Sequence, residues 1–321
     1  MNDQDEKSTG QLLLAPMEGV VDALMRDVLC SVNCFDLCVT EFIRVIDALL
    51  PERVFYRVVP ELAHGGYTPS NTPIRVQLLG QHPQWLAENA VRAIELGSHG
   101  IDLNFGCPSK TVNKNRGGAV LLKSPEDIYN IVSTVKNSVG NDNITSVKIR
   151  LGFDDATLLD EIVDAVVSAN ADLLTVHART KSDGYRPPAY WHYINEIQSK
   201  YKIELVANGE IWSKSDAINC KATAKTSNLM LGRGSLALPN LSNVIKYDEA
   251  PMNWSQVCQL LLRFNEAEVT GDKSYYFSNR LKQWLRYLKL QYPEAQTLFD
   301  HIKTMKCKDS ILSGIHKIAN G

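Results

Sequence analysis

Short apolar runs recur along this chain, separated by segments whose apolar residues return every three or four positions. Eight runs stand out: "LLLAPM" (12–17), "FDLCVTEFI" (35–43), "IRVQLLG" (74–80), "GIDLNFG" (100–106), "SVKIRLG" (146–152), "LLTVHAR" (173–179), "ELVANGE" (204–210) and "LMLGRGS" (229–235). Runs this short and this continuously apolar predict strands buried on both faces. The segments between them have helical period, as in "PQWLAENAVRAIELG" (83–97) and "SPEDIYNIVSTVKNS" (124–138). In the second, Ser124 sits where an N-cap belongs, Pro125 takes the first helical position, and acids fill the first turn. Strand and helix repeated eight times predict an α/β chain whose parallel sheet closes into a (β/α)8 TIM barrel.

The runs are apolar at their starts and polar at their ends: Glu18-Gly19, Glu41, Gln77, Asn104, Lys148 with Arg150, His177 with Arg179, Asn208, and Gly232-Arg233. Barrels of this kind build their sites at the carboxyl ends of the strands, so a polar mouth is expected there. After "YDEAP" (247–251) the alternation gives way to successive helical patterns. In one of them Phe277, Leu281, Trp284, Leu285 and Leu288 share a face opposite Lys282, Arg286 and Lys289. The division expected is a polar, disordered leader over 1–10, a barrel over 11–250 and a C-terminal helical-bundle domain over 251–321.

Charge changes the picture of the last part. The chain has 34 Lys/Arg against 36 Asp/Glu over 321 residues, yet from Pro251 onward ten Lys/Arg face six Asp/Glu. A basic tail on an acidic body suggests a polyanionic partner, with a solvated helical surface as the plainer explanation. The seven cysteines form no C-x-x-C pair, so neither a disulfide framework nor a metal site is expected, and Cys30, Cys34 and Cys38 read as buried thiols. Neither a signal peptide nor a membrane-spanning run is visible, and the expectation is a cytoplasmic protein with no membrane and no obligate protein partner, acting as a monomer.

Candidate chemistry clusters at the strand ends. Cys107 lies between Gly106 and Pro108 just past a strand, and proline holds the residue before it in extended or turn geometry. A thiol there meets a ligand more readily than it fills a core. The glycines of "VANGEI" and "MLGRGS" end the last two runs, where barrels commonly hold a phosphate, although either glycine alone could serve a turn. Lys148 lies inside an apolar run and needs a partner: an imine-forming substrate, an electron-rich ring, or a neighbouring carboxylate. His177 could serve a ligand or simply donate to a backbone carbonyl. Gln77 and Asn104 offer amides suited to a heterocycle with donors and acceptors.

The run "APMEGV … TEF … VQLLG … DLNFGCPSKTVNKNRGGAVLL … VKIRLG … VHART … NGEI … MLGRG" strongly resembles the tRNA-dihydrouridine synthases, over essentially the whole chain after residue 11. The segments "TEFIRV", "LVANGEIW", "LPNLSNVIKY" and "RLKQWLRYL" are similar to the C-type branch, which acts at uridine 16 of the D-loop. Departures are small: Phe105 for a common methionine, "GGAV" for "GAAL", "VHART" for "VHGRT", and Glu210 for aspartate. The resemblance implies FMN as cofactor, NADPH (or NADH) as reductant and tRNA as partner. It implies Pro16, Met17 and Glu18 along the isoalloxazine, Gln77 at its edge and Lys148 near its N1/O2 side. His177, Asn208, Gly209, Glu210, Gly232 and Arg233 would hold the phosphate end, and Asn104 the uracil. Cys107 would donate the proton at C5, on a loop made mobile by the glycines after it. Arg44, Arg280, Lys282 and Lys303 would contact tRNA. The alternatives from the residues are an FMN barrel acting on a free pyrimidine such as dihydroorotate, a Lys148 aldolase, and a non-catalytic RNA-binding barrel.

Overall fold

The computed structural model describes residues 10–267 and 274–319. Among them, eight parallel strands close into a barrel in sequence order: β1 Leu12–Leu14, β2 Leu37–Arg44, β3 Ile74–Leu79, β4 Ile101–Asn104, β5 Thr145–Arg150, β6 Leu173–His177, β7 Glu204–Asn208 and β8 Asn228–Leu231. The helices between them are α1 Ala23–Cys30, α2 Glu52–Val58, α3 Pro83–Glu95, α4 Lys110–Lys114, α5 Pro125–Val139, α6 Leu159–Ser168, α7 His192–Lys200, α8 Lys214–Ala224, α9 Arg233–Ala237 and α10 Leu241–Tyr247. Four more follow: α11 Trp254–Ala267, α12 Ser274–Leu288, α13 Pro293–Ile302 and α14 Lys308–Ala319. The barrel and the helical tail are therefore as expected. The strands end earlier than the apolar runs, so Pro16 to Gly19, Gly106 to Pro108 and Gly209-Glu210 lie in loops past the strand ends. Ser124 does cap α5, but without a side-chain hydrogen bond. Most of the expected leader lies outside the described residues; Gly10 itself is buried, with no room for a side chain against Ser227.

Strand residues alternate between two apolar environments. Leu12, Leu14, Val76, Leu103, Val147, Val176 and Leu229 pack outward with the helices, while Leu13, Val39, Leu173, Val206 and Met230 form a small inner cluster. The outward residues exclude water from the layer between sheet and helices, at roughly 25 cal/mol per Å² of apolar surface. Successive side chains on a strand face opposite ways, so Arg75, Gln77, Asp102, Asn104, Ser146, Lys148 and Arg150 share the inner side. Polar residues thus fill the interior toward β3, β4 and β5, and leave the inner apolar cluster to the other strands.

The tail docks on the barrel through α12. Trp284 is buried at 1% exposure, donates from Nε1 to the Leu236 carbonyl (3.1 Å) and packs edge-on against Phe264, with ring centroids 5.4 Å apart. Leu281, Leu285 and Leu288 are buried beside it, as the helical spacing requires; Phe277 lies outside the described side chains. Among the described residues no helix is long and apolar enough to cross a membrane.

Candidate active site

A cavity of about 1070 Å³ opens at the carboxyl ends of the strands. It slightly exceeds the roughly 300–1,000 Å³ of ordinary ligand pockets. Pro16, Met17, Glu18, Arg44, Gln77, Asn104, Cys107, Lys148, His177, Asn208, Gly209, Glu210, Gly232 and Arg233 all line it. Arg280, Lys282 and Lys303 do not.

Cys107 is half-buried on the loop between β4 and α4. Its N–H donates to Asn104 Oδ1 (2.9 Å), and its carbonyl accepts from Ala119 N–H (3.1 Å) and Asn113 Nδ2 (2.9 Å). Gly118 adopts φ +65°, and a Cβ there would lie 2.9 Å from the Cys107 carbonyl oxygen, so only glycine lets this turn close. The glycine-rich stretch is accordingly folded into α4 and a short 3-10 turn over 118–123, against the cysteine. Burial pushes the Cys107 thiol above its ordinary value, against the pull of the Ser109 N–H, and nearby Glu18 adds to the rise. The thiol stays protonated at neutral pH.

Among the described residues Lys148 has no carboxylate in hydrogen-bond reach; its Nζ donates to Asn208 Oδ1 (3.2 Å), and Asn208 Nδ2 in turn donates to the Met230 carbonyl (2.8 Å). Burial, then the Arg150 charge, lower its pKa to about 8 in spite of Asp102. The ion-pair explanation for Lys148 is thereby removed. Among the described residues His177 has no backbone acceptor for its ring: Arg179 Nη1 lies 3.4 Å from Nε2 and the Tyr185 ring centroid 5.9 Å from that of His177. Its burial among Arg150, Lys148, Arg179 and Arg233 drives its pKa well below the usual range, so the imidazole is neutral. Gly209, at φ +118°, holds a backbone conformation that side chains strain, and a Cβ there would crowd His177 Cδ2 at 3.0 Å.

Glu210 collects the cations at this end. Its Oε1 lies 2.7 Å from both Arg179 Nη2 and Arg233 Nη2, and its Oε2 accepts from Trp212 Nε1 (3.0 Å). Burial would raise its pKa, but Arg179 and Trp212 bring the net shift below the usual value. A carboxylate so engaged orients cations rather than touching an anion itself. Arg233 lies 5.0 Å from the centroids of both the Tyr185 and Trp212 rings, and Arg150 lies 5.2 Å from that of Tyr185.

Sequence reasoning gave no role to Asp102, Arg150, Tyr185, Trp212 or Arg57. Asp102 and Arg150 had a signal, a charge inside an apolar run like that of Lys148. Arg57 lines the cavity near Arg44, and neither has an ion-pair or hydrogen-bond partner among the described residues. The tail residues are placed differently. Arg280 Nη2 donates to Asp22 Oδ1 (2.7 Å) and its guanidinium lies 5.2 Å from the Phe264 ring centroid. Lys282 Nζ donates to the Met305 carbonyl (2.6 Å) and Lys303 pairs with Asp300 (3.1 Å). Arg280 ties α12 to the N-terminus of α1, and Lys282 ties it to the segment before α14.

The Dihydrouridine synthase (Dus) family model matches residues 13–316. The tRNA-dihydrouridine(16) synthase of Shewanella oneidensis is 52% identical over 94% of this chain and 96% of its own length. That of Vibrio cholerae is 51% identical (96% and 95%), and that of Escherichia coli O157:H7 50% (97% and 99%). Among solved structures, a variant of NCR from Zymomonas mobilis superposes with a TM-score of 0.54 at 13% identity, covering 76% of this chain and 88% of that one, a likeness of fold. The chain belongs to the dihydrouridine synthase family. That membership sets aside the free-pyrimidine dehydrogenase, the aldolase and the non-catalytic barrel.

Proposed function

We propose that this protein reduces the C5–C6 double bond of uridine 16 in the D-loop of tRNA, giving 5,6-dihydrouridine, with FMN as its bound cofactor. The site residue assignments, NADPH as reductant, a monomeric state and a cytoplasmic location belong to the same proposal; names and near full-length identity of the relatives support the position.

The residues present fit FMN. Arg233 lines the cavity beside neutral His177 and Gly209, and fully buried Arg179 shares Glu210 with it, a positive recess for a phosphate. Lys148 has a single hydrogen-bond partner among the described residues and lies where a ring carbonyl could take its remaining protons. When bound, FMN supplies a hydride, drawn from NADPH, to C6 of the uracil. Gln77 and Asn104 each keep an amide proton that no described residue accepts, which suits the edges of two stacked heterocycles. Cys107 gives its Sγ proton to C5, and solvent returns one to the thiolate afterwards. A thiol raised above its ordinary pKa holds that proton until a carbanionic carbon takes it. Arg44 and Arg57, which line the cavity and have no ion-pair or hydrogen-bond partner among the described residues, neutralise phosphates next to the entering nucleotide. Lys303, exposed on the tail, extends that contact, while Arg280 and Lys282 contribute by shaping the seat. The observation that carries this reading is the Cys107 thiol sharing one cavity with half-buried Lys148, whose ammonium meets the Asn208 amide and no described carboxylate.

The test is to map dihydrouridine in tRNA from a strain lacking this gene. Loss confined to position 16, restored by the wild-type gene and not by Cys107→Ala, is expected. Position 16 still modified, or loss at other positions instead, overturns the proposal.

A further inference from the structure

Four polar groups behind Cys107 form a chain whose direction the backbone dictates. The N–H groups of Gly106 and Cys107 both lie 2.9 Å from one atom of the Asn104 amide. Those N–H groups can only donate, so that atom is Oδ1, and the Asn104 nitrogen must face the other way. It faces one atom of the Gln77 amide at 2.7 Å, which must then be Oε1. The Gln77 nitrogen therefore points to Asp102 Oδ2, also at 2.7 Å. Asp102 Oδ1 accepts from Ser146 Oγ at 2.6 Å. Asp102 is 1% exposed and Gln77 fully buried, so water offers neither a substitute partner. The register of β3, β4 and β5 sets Gln77, Asp102 and Ser146 side by side across the three strands.

We infer that Asp102 is a positioning residue: as the buried acceptor for the Gln77 nitrogen, it holds the Gln77 amide in place against Asn104, and through Asn104 it anchors the backbone that carries the Cys107 thiol. Without an acceptor at Asp102, the Gln77 NH₂ is left buried without a partner, and the side chain shifts to find one. Its oxygen then moves away from the Asn104 nitrogen, and the hold of Asn104 on the two backbone N–H groups weakens. Asp102 also joins β4 to β5 through Ser146, so a purely structural role for it makes a different forecast. In that case Ser146 would matter as much as Asp102, and Gln77 would not matter.

The inference rests on the proposed reaction only for the chain's purpose, and the test reads the chain directly. Iodoacetamide alkylation of Cys107 is followed by peptide mass spectrometry in the purified protein, with exposed Cys307 as the reference thiol. Asp102→Ala should speed alkylation of Cys107 roughly three- to tenfold relative to Cys307, the change in local opening expected from one weakened buried hydrogen bond. Gln77→Met should do the same, and the double variant should add little more. Asp102→Asn keeps an acceptor for Gln77 and can turn its NH₂ toward Ser146, so it should alkylate close to the wild-type rate. Ser146→Ala should leave Cys107 slow. Should Asp102→Ala fail to fold, Gln77→Met and Asp102→Asn still give opposite forecasts. Wild-type alkylation in Gln77→Met, or acceleration by Ser146→Ala alone, overturns the inference. Absence of tRNA reduction by the wild-type protein would instead strike the proposed function and leave this result standing.

Discussion

Positive charge gathers in two regions of this molecule under opposite conditions. Around the barrel mouth, Lys148, Arg150, Arg179 and Arg233 lie close enough to depress His177 together, and Glu210 is the carboxylate that holds two of them. In and beside the tail, Arg263 pairs with Asp27, Arg280 with Asp22, Lys303 with Asp300, and Lys282 reaches the Met305 carbonyl. Buried like charges destabilise one another, and an arrangement held by the fold is relieved when an anion enters. Paired cations on a helix have less left to offer. A basic tail in the sequence and a cationic site in the structure are therefore different things, and the cavity arginines without a partner among the described residues, Arg44 and Arg57, lie on the barrel.

The largest effect expected at the mouth is on chemistry. Cys107→Ala should lower tRNA reduction by on the order of 10²–10⁴-fold, with FMN content unchanged, because a general acid is removed and no cofactor contact is lost. Measuring dihydrouridine formation beside the flavin-to-protein ratio checks both halves. Next in size is cofactor affinity. Arg233→Ala should weaken FMN binding by about 10- to 150-fold, the range for a hydrogen bond to a charged group, whereas Lys303→Ala should leave a fluorescence titration unaltered. Equal losses at the two positions would erase the distinction between the regions.

Lys148 gives the comparison a pH dependence. Its pKa of about 8 in the folded chain lies below the unfolded reference of about 10.4. The unfolded chain therefore binds this proton more tightly, so burial of Lys148 opposes folding fully below about pH 8, and the penalty fades as pH rises toward the unfolded value. Denaturant midpoints of the apoprotein should show wild type gaining stability relative to Lys148→Met between pH 8 and 10; parallel curves would contradict the burial.

The smallest effects separate the two sets of arginines. Arg44→Ala and Arg57→Ala should each reduce the magnitude of the log–log salt slope of tRNA binding by roughly 0.7 to 0.9. Arg280→Ala should cost on the order of 1 kcal/mol of stability or less, and Asp22→Asn should reproduce it. If Arg280→Ala flattens the salt slope and Asp22→Asn does not, Arg280 contacts tRNA as its place in the signature helix implies.

The barrel was legible because buried strands have nowhere to put polar residues except their ends and the interior. The same contrast that exposed Lys148 also marked Asp102, yet its use depends on register. Only pairing of β3 with β4 brings Gln77 opposite Asp102, and no spacing along the chain announces that. Glu210 could be read as a site residue but not as the holder of Arg179 and Arg233, since its partners lie on other strands' loops. The tail was legible only in part: the charge of Arg280 was visible, whereas its partner Asp22 is 258 residues away in sequence.

The central claim is that this mouth holds a flavin whose electrons go to a uracil of tRNA. The direct measurement is to reduce the FMN-loaded protein without oxygen, then add tRNA that lacks dihydrouridine and follow flavin absorbance. The account predicts return of the oxidised flavin spectrum, matched one for one by new dihydrouridine, and a much slower return with Cys107→Ala. A spectrum that stays reduced with wild-type protein in the presence of such tRNA would contradict it.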